Sequence, residues 1–94
     1  MYNRASVYLD FAIDSVVAGL NDPSTAYECF READCSVIFL EKLLKKDYDI
    51  WIKFEAYGLF NKSITALSEN NPTDLEPIRG ALRELEVAKS FLRN

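Results

Sequence analysis

Six apolar residues between positions 26 and 44 constrain the fold of this chain more than any other feature. The steps between them alternate between four and three residues, and the members are Ala26, Phe30, Ala33, Val37, Leu40 and Leu44. Because an α-helix turns once in 3.6 residues, this spacing places all six on one side of a helix. The segment is therefore predicted to be a long amphipathic helix with one side in a core.

Two further segments carry apolar stripes of the same kind. The first consists of Ala5, Leu9, Ala12, Val16 and Leu20, and the second of Ile78, Leu82, Leu85 and Leu92, with Ala81 and Ala88 alongside. Strand signals are nearly absent, since only "DIWIKF" alternates and it has no second strand to pair with. These patterns predict an all-α protein.

The few glycines and prolines mark the ends of the helices. The stretch 19–23 closes the first segment, and Asp22 or Ser24 can cap the next helix. A second break lies at 70–73, and a charged group near residue 46 marks a third. We predict one domain spanning 1–94, with helices at about 4–20, 23–46, 48–69 and 74–92. Short links favour antiparallel neighbours, so the predicted fold is a four-helix antiparallel bundle-like arrangement.

Charge and residue usage exclude several functions. The net charge is −4, and residues 1–40 carry six acids against only Arg4 and Arg31, which argues against binding to nucleic acid. Histidine is absent from the sequence, so the commonest general base and most transition-metal sites are missing. The sequence also lacks a phosphate-binding glycine loop. We expect no cofactor, no metal and no catalysis.

The two cysteines and the apolar runs bear on the compartment. Cys29 and Cys35 lie six residues apart on one predicted helix and point in different directions, so they are not expected to bridge. No apolar run is long enough to span a membrane, and no signal-peptide pattern is visible. A cytoplasmic protein without membrane contact is expected.

Two carboxylate pairs are spaced so that each pair shares one helix face: Asp10 with Asp14, and Glu28 with Glu32. Both pairs lie away from the apolar stripes. This placement favours solvated acidic faces over a metal site or an acid–base site. The mild repulsion within each pair also fits a basic protein partner.

The third segment has aromatic residues at every third position, namely Tyr48, Trp51, Phe54, Tyr57 and Phe60. Steps of three drift around a helix, so this segment is apolar on two sides. Either it is a central helix covered by its neighbours, or one side binds another protein or a second copy. We favour the interface, because aromatic residues are enriched at interface cores. Smaller apolar groups also leave the main stripes: Val7 with Phe11, Ile38 with Phe39, and Val87 with Phe91.

The sequence thus predicts a non-catalytic, acidic helical module for protein–protein interaction. A small regulator, or an inhibitor that neutralises a basic protein, is the favoured role. The predicted interface residues are Tyr48, Trp51, Phe54, Tyr57, Phe60, Phe39, Asp10, Asp14, Glu28 and Glu32. The alternatives are a structural homodimer, a secretion or assembly chaperone-like adaptor, and an enzyme that uses Cys35 or the carboxylates.

Overall fold

The computed structural model describes residues 3–48, 56–69 and 74–92. Within these residues lie four α-helices and one 3₁₀ turn, and no strand is present. They are α1 (Asn3–Asn21), the turn Pro23–Thr25, α2 (Ala26–Tyr48), α3 (Ala56–Ser68) and α4 (Glu76–Leu92). The predicted all-α, bundle-like fold is confirmed.

The helices are arranged in a ring in which each contacts two neighbours. α1 packs on α2 and α4, and α3 packs on the same two helices; no diagonal contact is formed within the described residues. The ring of Tyr8, near the start of α1, contacts that of Phe39, in the second half of α2. Lys89, near the end of α4, pairs with Asp10 of α1. Gly19, near the end of α1, packs on Phe30, near the start of α2, so this contact and the Tyr8–Phe39 contact together show that α1 and α2 run antiparallel.

The core lies along the axis of this ring and is built from the stripes seen in the sequence. All six stripe residues of α2 are buried, and four of the five in α1 are fully buried. Leu20 and Leu82 pack against this core while partly exposed. The largest fully buried side chains are Phe30, Leu9, Leu40, Leu44, Ile78 and Leu85. Burying them removes apolar surface from water, which is the main force that holds the four helices together.

The link between α1 and α2 is short and tightly hydrogen-bonded. Asp22 has an extended backbone, and its Oδ1 accepts hydrogen bonds from the Ser24 backbone N–H (3.1 Å) and hydroxyl (2.7 Å). The Ala26 N–H donates back to the Pro23 carbonyl, which makes this first turn a 3₁₀ turn. Asp22 is therefore the cap that the sequence indicated, and the regular helix begins at Ala26, later than the predicted residue 23.

At its C-terminal end, α2 extends further than expected. It continues through residue 46 to Tyr48, which the sequence placed at the start of the third helix. Lys45 and Lys46 lie in its last turn, where positive charge stabilises the carbonyl end of a helix. The predicted third helix is seen as α3 over Ala56–Ser68, and residues 49–55 lie outside the described residues.

Close approach of α1 and α2 depends on Gly19. A Cβ at this position would lie 2.6 Å from Cε1 of Phe30 and 3.1 Å from Cβ of Cys29. The Phe30 ring therefore packs directly against the glycine backbone. This contact fixes how the two helices are aligned, and with it the surface that they form together.

Candidate functional site

The outer seam between α1 and α2 contains an open groove of about 420 Å³. One residue of α1 and five of α2 line it: Phe11, Glu28, Arg31, Glu32, Cys35 and Ser36. Four of the five α2 residues are exposed, away from the buried stripe of that helix, and Ser36 is buried. We refer to this surface as the α1–α2 groove.

Exposed apolar side chains lie in and beside the α1–α2 groove. Phe11 is 49% exposed and Phe39 46%, and Val7, one turn before Phe11 on α1, is 64% exposed. Phe39 is held in place by Tyr8, whose ring centroid is 4.7 Å away at an interplanar angle of 49°. Tyr8 in turn packs against the core. Because the Phe39 ring is already packed on Tyr8, it would lose less conformational freedom on binding than an unpacked ring would.

Carboxylates occupy the other part of the same surface. Glu28 and Glu32 line the α1–α2 groove, and Asp14 is exposed one turn beyond Phe11 on α1. Within the described part of the chain, no cation lies close enough to form an ion pair with any of the three. Among the described residues that line the groove, the one cation is Arg31, whose guanidinium lies 5.7 Å from the ring centre of Tyr27. The surface is therefore apolar at one end and acidic at the other.

The predicted interface residues separate into three groups. Phe39, Asp14, Glu28 and Glu32 lie on the α1–α2 surface just described. Asp10 is turned towards α4, and its Oδ1 lies 2.7 Å from Nζ of Lys89. Trp51 and Phe54 lie outside the described residues, and so do the side chains of Tyr48, Tyr57 and Phe60. The predicted aromatic face of the third helix stays a prediction.

Four groove residues were not among the predicted interface residues, namely Phe11, Arg31, Cys35 and Ser36. Phe11 was noticed because it leaves the α1 stripe, but the sequence does not show that it lies beside α2. Cys35 was considered as a disulfide partner of Cys29 and as a nucleophile, and Arg31 only as a charge. The missing information is the alignment of α1 against α2, which depends on the contact between Gly19 and Phe30. One sequence signal could have pointed to this surface: Val7 and Phe11 are four residues apart, so they share a face of α1, and both lie off the core stripe.

Two carboxyl groups outside the groove have shifted pKa values. Hydrogen bonds from the side chain and then the backbone of Ser24 lower the pKa of Asp22. Burial raises the pKa of Asp34, which is half-buried on α2. Its Oδ1 is shielded from solvent and has no hydrogen-bond partner among the described residues. Neither group lines the α1–α2 groove, so both shifts concern stability.

Both cysteines are free thiols, and Cys35 is exposed in the α1–α2 groove. In the described ranges no three cysteine, aspartate or glutamate side chains converge as metal ligands. Among the helices described, none has both the length and the apolar character needed to cross a bilayer.

Comparison of the chain with protein-family models, with curated proteins and with solved structures gave no match. Function is therefore inferred from the geometry of the surface itself.

Proposed function

We propose that this chain is a non-catalytic, acidic helical module that regulates or inhibits a protein partner by docking onto it through the α1–α2 groove. One observation carries the proposal: two half-exposed aromatic rings lie next to carboxylates that form no ion pair with a cation of the described residues. Exposed apolar surface beside polar groups is typical of a protein-binding site. The aromatic residues predicted for the third helix add no support and are not needed for it.

Phe11 and Phe39 are the expected anchors of this interface. Both rings are half-exposed in the lone chain, and both would lose their remaining contact with water when a partner covers the groove. Aromatic anchors surrounded by polar groups account for most of the binding energy in known interfaces. Val7, Glu28 and Glu32 would lie around these anchors and shield them from water.

The rival functions receive less support from the described surface. A homodimer with its two-fold axis across the groove would place the acidic end of one copy, with Glu28 and Glu32, on the apolar end of the other. Neither end would then meet a complementary surface. An enzyme using Cys35 would need a general base, and histidine, the usual partner of a catalytic thiol, is absent from the chain.

The proposal is tested by comparing the native chain with two variants. Phe11→Ser/Phe39→Ser removes both anchors, and Val87→Ser removes an apolar side chain that is 68% exposed on α4. Each protein is immobilised and used to capture proteins from the cells that produce the chain. The candidate partner is then purified, and its affinity for all three proteins is measured by titration calorimetry.

We expect the purified partner to bind the native chain and Val87→Ser equally. Loss of one anchor typically costs about 2 kcal/mol, so the double variant should bind at least about thirtyfold more weakly. The proposal is wrong if no captured protein distinguishes the double variant, or if the purified partner binds all three proteins with the same affinity. Circular dichroism provides the folding control, because both anchors are exposed and their loss should leave the helices intact.

A further inference from the structure

The α1–α2 groove has two chemically different ends. The alignment of α1 with α2 decides which residues lie at each end. The Tyr8–Phe39 contact fixes one end, where Val7 lies close by on α1. Phe11 and Cys35 occupy the middle, since both line the same groove. At the other end, near the contact between Gly19 and Phe30, the exposed residues include Asp14, Glu32 and Glu28. The surface therefore changes from apolar to acidic along its length.

The dimensions of this surface fit a helix. From Val7 to residue 18 on α1 the distance is roughly 16 Å, at about 1.5 Å per residue, or about three turns. Two adjacent antiparallel helices leave a groove along their seam that accepts the side chains of a third helix. A strand would need an unpaired sheet edge, and the described residues form no sheet. A helix lying along the seam is thus the occupant that the shape favours.

The charges define the chemistry of that helix. Asp14, Glu28 and Glu32 form no ion pair with any cation of the described chain. Lysine or arginine residues of a partner could approach all three, while Arg31, the one cation among the described residues that line the groove, lies beside Tyr27. Apolar partner residues spaced three or four apart would meet Val7, Phe11 and Phe39 at the opposite end.

Resting on the proposed function, we infer that the occupant of the α1–α2 groove is a basic amphipathic helix of a partner protein. Its apolar residues pack on Phe11 and Phe39, and lysine or arginine residues one to two turns away along the same face pair with Glu28 and Glu32. The apolar contacts provide most of the affinity, and the charge pairs fix the position and direction of the helix and speed its association.

A displayed library of helix-forming peptides, each of roughly 18 residues, tests this inference. The positions on one face vary among apolar residues, and the positions around them vary among acidic, basic and neutral residues. Peptides are selected on the immobilised native chain after removal of those that also bind Phe11→Ser/Phe39→Ser. We expect the selected peptides to carry lysine or arginine at one end of the apolar face. The inference would be overturned if the selected peptides carried acidic or neutral residues at both ends of the apolar face, or if no peptide was enriched.

A selected peptide is then labelled with a fluorophore, and its affinity is measured by anisotropy. Glu32→Lys reverses a charge in the groove, and Glu86→Lys makes the same change at an exposed position on α4. Glu32→Lys should weaken binding about tenfold and make it less sensitive to salt. Glu86→Lys should change affinity far less. Equal affinity for both variants would contradict the charge pairing.

The outcomes separate the inference from the proposed function. If the captured partner depends on Phe11 and Phe39 but the library selects no basic peptides, the groove binds protein and the inferred helix chemistry is wrong. If the captured partner binds Phe11→Ser/Phe39→Ser as well as the native chain, the proposed function itself is wrong.

Discussion

Replacing Gly19 by alanine tests the packing of α1 on α2, on which the α1–α2 groove depends. In most helices this change stabilises, because alanine exceeds glycine in helix propensity by about 1 kcal/mol. Here the new Cβ would lie 2.6 Å from Cε1 and 3.0 Å from Cδ1 of the Phe30 ring, and 3.1 Å from Cβ of Cys29. The Phe30 ring is fully buried and so has little room to move away.

The change in the free energy of unfolding follows from comparing the cost of overpacking with the gain in helix propensity. Overpacking a core by one methyl group typically costs about 1–3 kcal/mol. The propensity gain is reduced at Gly19, because α1 ends two residues later at Asn21. The net result is a loss of about 1–2 kcal/mol, and each kcal/mol lowers Tm by about 4–8 °C in a domain of this size.

Gly80→Ala is the matched control, since its new Cβ would meet nothing closer than an Arg83 nitrogen at 3.8 Å. That variant should gain about 0.5–1 kcal/mol. Urea unfolding followed by circular dichroism gives both values. The reasoning is refuted if Gly19→Ala stabilises the protein as much as Gly80→Ala does.

Two further predictions concern pH. Ser24 lowers the pKa of Asp22 through hydrogen bonds, so the native state gains stability above pH 3.8, the ordinary value, and loses it as pH falls. Asp22→Ala should therefore lower Tm at neutral pH, with a difference from the native chain that narrows in acid; a difference independent of pH would contradict this. Burial raises the pKa of Asp34, so its charge destabilises the native state as pH rises above 3.8. Asp34→Asn should raise Tm at neutral pH but not in acid, and a lower Tm at neutral pH would show that the charged form is stabilised by its surroundings.

The core and the helices could be predicted because their signals are local. The α2 stripe is set by residues three and four apart, and all six of its members are buried. Asp22 was one of two candidate caps, with Ser24, and it could be named because its bonds to Ser24 span only two residues. Helix ends were less accurate, since neither the 3₁₀ turn at Pro23 nor the extension of α2 to Tyr48 has a strong sequence signal.

The functional surface could be predicted only in part, because it joins residues far apart in the chain. Val7, Phe11 and Phe39 were each seen to leave their stripes, but their place along one seam follows from the packing of α1 on α2, which includes the Tyr8–Phe39 and Gly19–Phe30 contacts. Asp10 was grouped with Asp14 because they are one turn apart. The structure separates their roles, since α4 brings Lys89 to Asp10 alone.

The reactivity of Cys35 tests most directly whether the α1–α2 groove is an open site for a partner. In a Cys29→Ser background Cys35 is the only thiol, and it lines the groove. Its rate of alkylation is measured in the purified chain at rising protein concentration, and then with the captured partner added. We predict fast alkylation that does not depend on the concentration of the chain and slows when the partner is added. Three results would contradict the account: slow alkylation of the isolated chain, an alkylation rate that falls as the concentration of the chain rises, or a rate that the partner does not change.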